Sequence, residues 1–133
     1  SAGAYEWKKL GRLGNGAWAA SCCGGLYEGL PKEKANATVV AEIKDGVVFA
    51  CFVGHGRGGH AAARTYADGL VPGLRAEVSK AALASLLATL DVAARKLRKP
   101  GDDYSGATGT VVIFQRSTAV VASLGAASCL LSF

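Results

Sequence analysis

Apolar positions arrive along this chain in short runs, each closed by glycine, proline or an Asp-Gly pair. A small-residue stretch at 17–27, around Trp18, reads as a first strand. A second strand is predicted at 37–43, rich in β-branched residues, and Asp45-Gly46 then signals a hairpin turn. The run Val-Val-Phe-Ala-Cys-Phe-Val at 47–53 is apolar at odd and even positions alike. Such a strand is expected at the centre of a sheet, covered on both faces. A glycine cluster at 54–59 ends it.

Beyond the glycines the period changes. Ala62, Tyr66 and Leu70 recur every four residues and predict a short helix over 60–70, broken by Pro72-Gly73. A longer helix is predicted over 77–99, with Leu83, Leu86, Leu87, Leu90 and Leu97 on one stripe and Ala93 and Ala94 filling it. Pro100-Gly101 stops that helix. A glycine-punctuated lead-in at 104–110 precedes a strand at 110–115, a turn at Arg116-Ser117 and a strand at 118–124. After Gly125, residues 128–133 are expected as a last apolar strand with a buried end. The order is β-β-β-α-α-β-β-β. Helices that follow each other, rather than alternating with strands, imply an α+β fold with antiparallel strands and both helices on one face. Residues 1–16, with Gly11, Gly14 and Gly16, read as an N-terminal arm, and 17–133 as a single domain. Neither a repeat nor a linker interrupts it.

Composition agrees with one packed domain. Of 133 residues half are hydrophobic and 19% charged, which argues against disorder. Alanine and glycine supply 43 of them, so the core is built from small parts. No apolar run reaches the roughly 18–20 residues of a membrane span. The net charge of +5 is scattered except for Arg95-Lys96-Leu97-Arg98-Lys99, where cations complement the end of the second helix. Without a basic stripe interleaved with aromatics, no nucleic-acid partner is expected. Cys22, Cys23, Cys51 and Cys129 lack metal-ligand spacing and are expected as reduced thiols. The glycosylation sequon Asn36-Ala37-Thr38 stands in a context that does not look secreted. Methionine is absent even at position 1, so Ser1 implies a trimmed chain or one matured from a targeting precursor. An intracellular, cytoplasmic location is expected, with an organellar one after transit-peptide removal as the alternative.

Gly54-His55-Gly56-Arg57-Gly58-Gly59-His60 is the segment that most resembles chemistry. Its Gly-x-Gly-x-x-Gly, at 54, 56 and 59, lies between a strand and a helix like a dinucleotide fingerprint. That unit requires a second parallel strand with a terminal carboxylate about 20 residues on. Here two helices intervene, and Asp68 lies inside the first. His55 and His60 as a metal pair lack a carboxylate or thiol nearby in sequence. The plainest reading of the glycines is a tight turn with close backbone packing, and of Arg57 a solvated loop residue.

A third reading comes from resemblance. Val48-Phe49-Ala50-Cys51-Phe52-Val53-Gly54-His55-Gly56, followed by a helix, resembles the metal-dependent Ser/Thr protein phosphatases, the type 2C or PPM family, where a strand runs into Asp-Gly-His-Gly-Gly. Ser105-Gly106-Ala107-Thr108-Gly109-Thr110-Val111-Val112 resembles that family's Ser-Gly-Ser/Thr-Thr-Ala strand, and Val120 to Ser128 its Val-Ala-Asn-Val-Gly-Asp-Ser-Arg hairpin. The likeness runs over 17–133 and corresponds to the N-terminal half of a family catalytic domain, a β-sandwich with helices outside.

The departures matter most. The family's metal-binding Asp before Gly-His-Gly is Val53 here, and the upstream Glu-Asp falls on Ala35-Asn36. The Asp of Gly-Asp-Ser-Arg falls on Ala126. Gly54, whose carbonyl is a ligand in the family, His55, its proton donor, and Gly56, Gly58 and Gly59 persist. Magnesium or manganese needs oxygen ligands, and a general acid without metal-activated water has nothing to protonate. The resemblance therefore implies a pseudophosphatase: no enzyme, no cofactor, no metal and no catalytic residue. Such a domain serves as a structural or interaction subunit, in an assembly with other protein subunits or by self-association. Two alternatives stand beside it. One is a weak Mn- or Mg-dependent phosphatase using Glu33, Asp45 or Asp102-Asp103 as replacement ligands. The other is a phosphate- or nucleotide-binding module formed by the 54–59 loop and Arg57.

Overall fold

The computed structural model describes residues 7–13, 16–22, 26–27, 30–31, 36–102, 104–130 and 132. The fold class is α+β, as the pattern implies, and the chain forms two compact units, 1–34 and 35–133. In the first unit β1 (Trp7–Leu13) pairs antiparallel with β2 (Gly16–Cys22), and β3 (Leu26–Tyr27) with β4 (Leu30–Pro31). The stretch read as an arm thus contributes a strand, and the first predicted strand divides into β2 and β3. The glycines misdirect the reading. Gly11 lies opposite Trp18, and a Cβ there would stand 2.3 Å from the indole, so this glycine makes room for a ring within a strand.

In the second unit β5 (Asn36–Ile43), β6 (Gly46–His55), β7 (Gly106–Gln115) and β8 (Thr118–Leu124) form one antiparallel sheet in that order. Helices α1 (Gly59–Gly73) and α2 (Lys80–Lys96) lie between β6 and β7 in sequence. Their buried stripe is the predicted one: Ala62, Tyr66 and Leu70 on α1, and Leu83, Leu87, Leu90 and Ala94 on α2. They pack with Ala37, Val48, Ala50, Phe52, Val111, Ile113 and Val120 in one core. Phe52 is fully buried, its ring stacked on Tyr66 at 5.3 Å between centroids.

Several boundaries differ from the periodicity, each for a local reason. α1 runs past Pro72, which sits in its last turn. α2 starts at Lys80, because the Ser79 hydroxyl accepts the Ala82 N–H at 3.1 Å and caps the helix. It ends at Lys96, so Leu97 is 55% exposed, and Ala93 also faces out. The last predicted strand does not form over 127–130. Gly125, at φ +63°, turns the chain off the sheet, and Leu130 is 94% exposed.

β6 is central, as expected, but its two faces differ. Val48, Ala50 and Phe52 are buried under the helices, whereas Cys51 and Val53 are exposed. Cover on both faces therefore fails at this end of the strand. A side-chain amide ties the opposite end of the sheet together. Gln115 Oε1 accepts the Val78 N–H, while its Nε2 donates to the carbonyls of Lys44 and Ala76 at 2.9 and 2.7 Å. Both hairpin turns are also present, with Asp45 and Arg116 in the left-handed region and the Arg116 N–H donating to the Asp45 carbonyl.

Phe52→Ala removes a fully buried ring and its stacking contact with Tyr66, and a loss of about 3–5 kcal/mol is expected. Urea unfolding followed by circular dichroism measures it.

Candidate functional site

Where β6 gives way to α1, the chain must reverse in very little space. Gly56 takes φ +74°, and a Cβ there would stand 2.6 Å from the Ser105 hydroxyl. Gly59 faces the Gly54 carbonyl carbon at 2.7 Å from where its Cβ would be. The plain reading of the cluster, as a turn with close backbone approach, is what the structure contains. Two amides that a phosphate cradle would use are occupied: the Gly58 N–H donates to Ser105 Oγ at 2.8 Å, and the Gly59 N–H to the Gly56 carbonyl. Arg57 is an exposed loop residue, its guanidinium lying beside Gly101.

The partner of the glycine turn is the segment after α2. Lys99 N–H donates to Asp102 Oδ2 at 3.0 Å, Asp102 N–H returns a bond to the Lys99 carbonyl, and Ser105 N–H donates to the Asp102 carbonyl. Arg98 donates to the Ser105 carbonyl at 2.9 Å. These bonds bury Asp102 and Ser105 in a segment whose composition reads only as a polar, glycine-rich connection.

The two segments enclose one side of a cavity of about 220 Å³, completed by α1 and the end of α2. His55, Tyr66, Asp91, Arg95, Arg98 and Asp102 contribute its polar wall. Asp91 is engaged through both oxygens: Oδ1 accepts the Tyr66 hydroxyl and Oδ2 the Arg95 Nε, both at 2.9 Å. Burial, then the hydrogen bond to Asp91 and its negative charge, push the Tyr66 phenol from its ordinary 10 up to about 12, against the opposing charges of Arg95 and Arg98.

On the face of β6 away from the core, two of the positions where the phosphatase likeness expects carboxylates are neighbours. Asn36 is the direct cross-strand partner of Val53, and Thr108 is the partner of Val53 on its other side. Gly125, next to Ala126, lies against Thr108, its Cβ position 2.9 Å from the Thr108 methyl. Val53 is 44% exposed. Ala35 and Glu33 lie outside the described residues, as do Cys23 and Asp103. The proposed replacement ligands are not gathered at this end. Asp45 sits in the β5–β6 turn at the far end of β6, 3.6 Å from Arg116, and Asp102 belongs to the cavity wall. Among the described residues no group of three or more His, Cys, Asp or Glu converges as metal ligands. Cys51 and Cys129 are free and exposed, and among the described residues no helix is long and apolar enough to cross a membrane.

No family model, curated protein or solved structure matches the chain.

The cavity itself escapes sequence reading. Its acid pair, Asp91 and Asp102, comes from a helix flank and a turn, and only the packed helices bring them near His55.

Because the folded-state pKa of Tyr66 lies above its unfolded value, the folded chain holds the phenolic proton longer. Its contribution to stability is complete below pH 10 and disappears as the pH rises through about 12. Tyr66→Phe should flatten this alkaline loss, at the expense of about 1 kcal/mol at neutral pH for the bond to Asp91. Thermal melts from pH 8 to 12 would show both effects, and an unchanged alkaline slope would contradict the assignment.

Proposed function

We propose that this chain is a catalytically inactive PPM-like domain, a pseudophosphatase, that works as a structural or interaction subunit. The observation that carries the reading is the register Asn36–Val53–Thr108. Three neighbouring strands present an amide, an isopropyl and a hydroxyl at the end of the sheet where the family likeness calls for metal-binding carboxylates. Hard divalent cations are held by several oxygens, anionic ones foremost. A valine in the middle of that trio supplies none. His55 persists at the end of the same strand, but an acid with no activated water to work beside performs no hydrolysis.

The interaction half of the proposal rests on what the sheet leaves open. β5 and β8 are its outer strands among the described residues, and each presents one edge without a strand partner. Val53 and Val121, 44% and 47% exposed, stand on β6 and β8 on the face away from the core. Unpaired edges and exposed β-branched residues favour association over a solitary existence. Other subunits of an assembly, or further copies of the chain, would cover them.

Two measurements test the proposal. Hydrolysis of a phosphopeptide should stay at the blank rate with manganese or magnesium, and calorimetric titration with manganese should give no binding heat. Manganese-dependent turnover that is lost in His55→Ala would instead establish an enzyme. For the interaction half, sedimentation velocity should show species heavier than one chain, reduced by Val121→Lys. A stable, monodisperse monomer would defeat self-association alone.

A further inference from the structure

Cys51 and Cys129 are far apart in sequence, yet Thr110 links their surroundings in the fold. Thr110 on β7 is the direct cross-strand partner of Cys51 on β6. Direct partners carry their Cβ atoms about 5 Å apart on one face of a sheet. That face is the open one, because Phe52 and Val111, the next residues along each strand, are buried in the core with the helices. The chain beyond β8 returns to the same face. Gly125 takes φ +63° and lies against the Thr108 side chain, and the Thr110 hydroxyl donates to the Ser128 carbonyl at 3.4 Å. Thr108 and Thr110 stand two apart on β7, so both contacts lie on the side of the sheet that carries Cys51. Cys129 follows Ser128 directly and is exposed, as is Cys51. Among the described residues the bond from Thr110 is the one hydrogen bond that holds 126–130. A segment held so lightly can settle toward β6 until its Cα lies within the roughly 4.4–6.8 Å that a disulfide requires.

We propose that Cys51 and Cys129 close into a disulfide, with a low-molecular-weight disulfide such as oxidised glutathione as the oxidant. The thiolate of one cysteine attacks a sulfur of that disulfide, forms a mixed disulfide and releases one small thiol. The other cysteine then attacks the protein sulfur of the mixed disulfide, closes the Cys51–Cys129 bond and releases the second small thiol. Two protein thiols are oxidised and one small disulfide is reduced to two thiols. The two protons leave the cysteines and end on the departing sulfurs. The closed bond straps 126–129 across β7 onto β6, on the face where Val53 is exposed. This chemistry uses no residue of the Gly-His-Gly segment and does not depend on the pseudophosphatase reading.

Oxidation of the whole chain with about 1 mM oxidised glutathione, then alkylation and tryptic mapping without reduction, provides the test. Trypsin separates the two cysteines, since Lys44 and Arg57 bound the peptide of Cys51 and Arg116 precedes that of Cys129. The digest should contain 45–57 joined to 117–133. The joined form should exceed the glutathione adducts of these two cysteines by about tenfold or more. On a non-reducing gel it should run as one chain, in the same yield at every protein concentration. Cys51→Ser and Cys129→Ser should each abolish the joined peptide and leave glutathione on the cysteine that remains. Glutathione retained on both Cys51 and Cys129 of the unaltered chain would overturn the proposal. So would joining of either to Cys22 or Cys23, or a bridge found only between chains. The mapping reads the unaltered chain, so the outcome stands even if a variant fails to fold.

Discussion

Helix α1 begins so close to the end of β6 that Gly59 has the backbone of Gly54 where any other residue would carry a side chain. That contact sets the height of α1 over the sheet, and much else follows from it. Tyr66 lands on Phe52, Leu70 enters the core, and α2 has a surface against which to lay Leu83, Leu87 and Leu90. The turn that permits the contact is held from outside rather than by its own residues. Ser105, nearly fifty residues later, accepts the Gly58 N–H, and Gly56 leaves room for that hydroxyl. The helix start and the beginning of β7 are therefore one structural joint, though the chain reaches it twice.

The parts of the fold that sequence makes legible are those fixed by periodicity. A four-residue recurrence of Ala62, Tyr66 and Leu70 has one helical face to occupy, and the leucines of α2 likewise. Asp45-Gly46 and Arg116-Ser117 mark their turns through local backbone preference. What escapes depends on remote partners. Gly11 looks like loop material until Trp18 is placed across from it. β6 looks covered on both sides because its residues are apolar on both sides, yet hydrophobicity measures preference and not what is present to satisfy it. Leu97 belongs to the α2 stripe in sequence but falls beyond the point where the backbone leaves the helix. The burial of Asp102 has no local signature, because it arises from reciprocal bonds with Lys99 and from the roof formed by the glycine turn.

The same two central strands thus serve two different surfaces. On one side β6 and β7 support the helices, with the charged cavity at their margin. On the other they bring Asn36, Val53 and Thr108 into a row without an acid. The Gly54–Gly59 segment lies between them, and its glycines are required for packing α1 against the end of β6.

Gln115 illustrates how narrow such dependence is at the opposite end of the sheet. Its amide joins three segments, and it does so by being donor and acceptor at once. Glutamate has nearly the same shape but no N–H to give. Spontaneous deamidation at this one side chain would aim a negative oxygen at two carbonyl oxygens, those of Lys44 and Ala76. Loss of this one amide N–H would therefore loosen the β5–β6 turn and the α1–α2 connection together.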